Sequence, residues 1–97
     1  MSQVTLVSSS DVPLKPLVES ALRSEMKMLE IGLRRTQERL KSFEERFGMS
    51  SEEFYRRLCN DELEEILDFI EWAGEYKTLS LLYEKYQALK EIKIADS

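Results

Sequence analysis

The chain contains no histidine. That removes the commonest general base, the commonest metal ligand and the usual physiological pH switch together. A single cysteine, Cys59, excludes a disulfide within the chain and any zinc site of the finger type. It stands beside Asn60 and Asp61 with no base to activate it, and reads as a buried or idle thiol. Three glycines and two prolines are too few turn formers for an all-β sandwich. No apolar run approaches about 18 residues and no basic stretch precedes an apolar one at the N-terminus, so a cytoplasmic protein that does not enter a membrane is expected. A glycine-rich phosphate loop is missing too. A dimetal carboxylate bundle would need Glu-x-x-His pairs, which this composition cannot supply. The expectation is therefore a protein that is not an enzyme, with no catalytic residues, no cofactor and no bound metal.

What is present is helical. The 97 residues carry 42% hydrophobic and 34% charged side chains with a net charge of −5, apolar enough to fold and short enough for one domain. Residues 1–12 stand apart as a flexible or β-prone arm. Val4 to Val7 is a short β-prone run, too short to make a sheet alone, followed by Ser8, Ser9, Ser10, Asp11 and the prolines Pro13 and Pro16. A ribbon-helix-helix module would need a helix break about 15 residues beyond such a strand. None occurs here.

Residues 13–97 read as one helical-hairpin domain. Leu22, Met26, Leu29, Leu33, Thr36, Leu40, Phe43 and Phe47 recur at alternating spacings of four and three, a heptad stripe that predicts a helix over residues 14–47. These eight are the candidate oligomer seam. Gly32 interrupts the pattern at a cost of about 1 kcal/mol relative to alanine, unless close packing explains it. Gly48 is placed to end the helix in the left-handed conformation. Ser50 and Glu53 then form the sequence of a capping box, with Met49 able to staple onto Phe54 at the head of a short corner helix. A last helix is predicted over about 61–92, with Asp61, Glu62, Glu64 and Glu65 in its first turns, where the helix dipole favours acids. Its apolar residues include Phe69, Trp72, Tyr76, Leu79, Tyr83 and Tyr86. The fold class is thus all-α: a long antiparallel, coiled-coil-like hairpin with a corner helix. Met28, Ile31 and Ile70 exceed what one seam can bury, so dimerisation into a helical bundle is expected.

Charge is concentrated at the corner. Residues 52–71 hold eight acids against two bases, whereas residues 14–47 carry a net charge of +2. Glu44 and Glu45 read as solvated. The acidic balance repels phosphate and makes nucleic acid an unlikely ligand by charge. The acidic tip itself has two readings, as a solvated corner whose carboxylates cap helices or as a negative patch that meets a basic protein surface. The candidate partner-binding residues are Glu62, Glu64, Glu65, Asp68, Glu71, Trp72, Glu75 and Tyr76. Trp72 and Tyr76 have two readings, as core residues facing the first helix or as aromatic interface anchors. Gly74, in a helix interior at about 1 kcal/mol, indicates a close approach or a contact face.

Two segments, Phe47-Gly48-Met49-Ser50-Ser51-Glu52-Glu53-Phe54 and Asp68-Phe69-Ile70-Glu71-Trp72-Ala73-Gly74-Glu75-Tyr76, resemble a small helical antitoxin-like family of prokaryotic toxin–antitoxin gene pairs. The resemblance spans roughly residues 17–92. It departs at Cys59 to Glu65, where the family often carries a glycine among acidic residues. What the resemblance implies is a helical partner that neutralises a small basic toxin. The alternative expectation is a homodimeric coiled-coil scaffold or spacer with no cognate enzyme.

Overall fold

A computed structural model describes residues 3–9 and 11–93, and the sequence calls for Met1, Ser2, Ser10 and residues 94–97 lie outside them. Three helices follow in order: α1 (Leu14–Phe47), α2 (Ser51–Cys59) and α3 (Leu67–Lys90). No strand occurs among the described residues, and residues 3–9 of the arm carry no regular structure. No helix among them is long and apolar enough to cross a membrane.

Helix α1 has the bounds its heptad pattern predicts. At its start Pro16 costs nothing, because the first four amides of a helix have no intrahelical acceptor. It ends at Gly48, with φ 68°, whose amide donates to the Glu44 carbonyl at 2.9 Å. Helix α2 begins immediately after. The Ser50 hydroxyl accepts from the Glu53 amide at 3.1 Å, which is half of the expected capping box. The other half is replaced: the Glu53 carboxylate is taken by Arg56 at 2.7 Å and Arg57 at 2.8 Å. Met49 packs against the cluster that contains Phe54.

The expected last helix over 61–92 is shortened at its start. Residues 60–66 are a loop, and α3 begins only at Leu67, with Ile66 as its cap. The reason lies at the end of α2. Asp61 takes φ 56°, its amide donates to the Leu58 carbonyl, and the Glu62 amide reaches the Arg57 carbonyl at 2.9 Å. This is a Schellman closure with aspartate in the position glycine usually fills. It reverses the chain before a new helix can start and lets Leu63 fold back onto the core. Glu62, Glu64 and Glu65 are therefore loop residues, not members of a helical first turn.

Helices α1 and α3 lie antiparallel. Arg46 pairs with Asp68 at 3.0 Å and Arg39 with Glu75 at 2.9 Å. A Cβ on Gly32 would meet Leu82 Cδ1 at 3.4 Å, so a close crossing accounts for that glycine. These contacts step by seven residues on each helix in opposite directions. The heptad stripe faces inward: Leu29, Leu33, Thr36 and Leu40 are buried, and Leu22, Met26, Phe43 and Phe47 half-buried. From Leu29 to Phe47 the stripe set out as an oligomer seam is thus covered by α3 and α2 of its own chain, whereas Leu22 lies past the end of α3.

Candidate partner-binding surface

The corner is built around Trp72. Its ring stacks on Phe54 with centroids 3.9 Å apart and planes 3° apart, and Phe43 and Phe47 lie at 5.6 and 5.7 Å. The indole N–H donates to Ser51 Oγ at 2.9 Å. The Ser51 amide donates in turn to Glu44 Oε2 at 2.8 Å. One residue from each helix therefore joins in a single chain of contacts, and no buried side-chain polar atom among the described residues is left without a partner. Trp72 is fully buried, which decides between its two readings: it is core and presents nothing to an outer surface. Tyr76 is half-buried against Tyr55, with ring centroids 5.1 Å apart. Glu44, expected to be solvated, instead caps α2, where its charge also faces the positive end of that helix dipole.

The acids of the candidate set divide into two groups. Asp68 and Glu75 are held by Arg46 and Arg39 of α1, and Glu62 lies 3.8 Å from Arg56. Glu64, Glu65 and Glu71 are exposed and have no ion pair among the described residues. Ile66, 38% exposed, sits between the first two and the start of α3. The surviving surface is therefore smaller than the sequence suggested: two free carboxylates, Glu64 and Glu65, next to an apolar loop residue, with Glu71 about a turn into α3. Pairing also leaves its mark on titration. The Arg56 guanidinium, and after it Arg57, hold the Glu53 carboxyl below the usual carboxylate range. At the far end of the hairpin, the Tyr86 phenol donates to Glu30 at 3.2 Å, and that bond raises the phenol above the ordinary tyrosine value.

Cys59 is exposed, not buried. No group of three or more histidine, cysteine or acidic side chains is placed to hold a metal ion among the described residues. Sequence reasoning missed Ser51, Glu44, Arg39 and Arg46 as structural partners. The seven-residue spacing of Arg39 and Arg46, matched by that of Asp68 and Glu75 at the edges of the stripe, is the signal that could have found the two ion pairs. No family model, curated protein or solved structure matches the chain.

Proposed function

We propose that the protein is a non-enzymatic helical binding module whose acidic corner receives a small basic protein, in the manner of an antitoxin that covers a toxin. The observation that carries this reading is the imbalance at the corner. Residues 52–71 hold eight acids against two bases, and Glu64 and Glu65, without an ion pair among the described residues, adjoin Ile66, 38% exposed. Unmatched charge of one sign beside an apolar group favours a partner of the opposite sign, speeding encounter through charge and holding it by desolvation. The two segments that resemble antitoxin-like proteins, residues 47–54 and 68–76, include the core that fixes this corner. Their aromatic residues support the surface from beneath instead of touching a partner.

The test is co-expression with small basic proteins encoded beside the gene. Growth arrest by such a protein should be relieved by the wild-type chain. Relief should be lost with Glu64→Lys/Glu65→Lys, while the purified variant keeps its melting temperature. Equal relief by the charge-reversed protein would sink the reading.

A further inference from the structure

Helix α3 is apolar on two opposite faces. Phe69, Trp72, Tyr76 and Leu79 belong to the core or pack against it, while Leu67, Ile70 and Leu81 stand 70, 58 and 58% exposed. Leu67, Gly74 and Leu81 are seven residues apart and so run in one line along the helix, with Ile70 beside it. A Cβ at Gly74 would meet no atom within 4 Å. The packing of the single chain therefore gives no reason for the helix-weakening glycine, in contrast to Gly32 under Leu82. An apolar line on the face of α3 that its own chain leaves open is a surface for another chain to cover.

We propose that a second copy of this chain covers the outer face, α3 lying antiparallel on α3. The two Gly74 positions make the closest approach, and Leu67 of each copy lies beside Leu81 of the other. Charge selects both occupant and direction. Within α3, residues 67–75 contain three acids and no base, whereas residues 76–90 contain three lysines against Glu84. Antiparallel pairing sets the acidic half of one α3 against the lysine-rich half of the other, and parallel pairing would oppose like charges. The geometry is also closed, since a two-fold axis at Gly74 uses the same patch on both copies.

Sedimentation equilibrium of the full chain from low to high micromolar concentration should give twice the chain mass. Leu81→Glu and Gly74→Leu alter positions that are open in the single chain, so both variants should keep their helical circular dichroism. Each should raise the dissociation constant by about tenfold or more. In a Cys59→Ser background, Leu67→Cys mixed with Leu81→Cys should oxidise to a cross-linked pair far more readily than either alone. Glu64→Lys/Glu65→Lys should leave the mass unchanged, which separates this dimer from the corner surface proposed above. A wild-type monomer at every concentration, leaving the face to a different protein, would overturn the proposal. So would a dimer that survives both α3 variants, or preferential cross-linking of Leu67→Cys to itself.

Discussion

Single residues at the corner carry more stability than their number suggests. Trp72 fills the space among Phe43, Phe47 and Phe54 and satisfies Ser51 at the same time. Trp72→Ala should cost about 3–5 kcal/mol, a large share of the roughly 5–15 kcal/mol that holds a domain folded, and should lower the melting temperature sharply. Ser51→Ala isolates the cost of stranding the buried indole N–H, about 1–3 kcal/mol, and denaturant titration of the two variants separates ring packing from hydrogen bonding. Two backbone positions with positive φ respond in opposite directions. Gly48→Ala should lose about 1 kcal/mol or more, because a Cβ is disfavoured in that conformation. Asp61→Gly relieves the corresponding strain and should gain up to about 1 kcal/mol in thermal melts, provided the Schellman bonds are kept. Titration offers a further check. Glu53 has a lowered pKa when folded, so its contribution is complete above the ordinary carboxylate value and disappears as pH falls through the folded one. Tyr86 is raised, so its contribution is complete below the ordinary tyrosine value and is lost as pH climbs through the folded one. Ultraviolet titration should find the Tyr86 phenol ionising late, and Glu30→Ala should bring it down toward the ordinary range.

At the scale of elements, α1 and the head of α2 were legible because their signals are local. A sustained heptad, a glycine at the end and a serine cap each act within one or two turns. The start of α3 was not legible for the same reason. Asp61, Glu62, Glu64 and Glu65 have the composition of a helix N-terminus, yet Asp61 adopts the left-handed conformation and Leu63 is drawn to the core. A tertiary contact outweighs a local preference there. The bond from Trp72 to Ser51 likewise spans 21 positions with no repeat to mark it, whereas the partners of Asp68 and Glu75 were marked only by a matched seven-residue spacing on two distant helices. The ion pairs between α1 and α3 set register more than they add stability. Both are substantially exposed, so Arg39→Ala or Arg46→Ala should each cost within about 1 kcal/mol and less as salt is added. Glu44→Ala should cost about 0.5–2 kcal/mol by contrast, as loss of a helix cap does, and chemical denaturation of the three variants side by side gives the order.

The whole molecule is a rod of 59 × 24 × 18 Å, with a radius of gyration of 19.0 Å where a compact chain of this length would have about 12.5 Å. Deleting residues 1–12 should leave the thermal transition within a few degrees, since Val4, Leu6 and Val7 are exposed and residues 3–9 form no regular structure. The core is placed unevenly along the rod. The aromatic cluster lies at the corner, whereas further along the rod the hairpin is closed by Leu29 and Leu33 and, among the described residues, by the bond from Tyr86 to Glu30. Given the register set by Gly32 and Leu82, the first turns of α1 extend beyond the end of α3. The hairpin should therefore open like tweezers, from its free ends toward a fixed pivot, and close from the pivot outward. Native-state hydrogen exchange should then show a gradient along each helix, with the amides of residues 16–24 and 84–90 exchanging through local fraying and those of residues 40–47 and 69–76 only through global unfolding. Because the pivot joins segments close in sequence, the first contacts close short loops, and refolding should be rapid and free of populated intermediates.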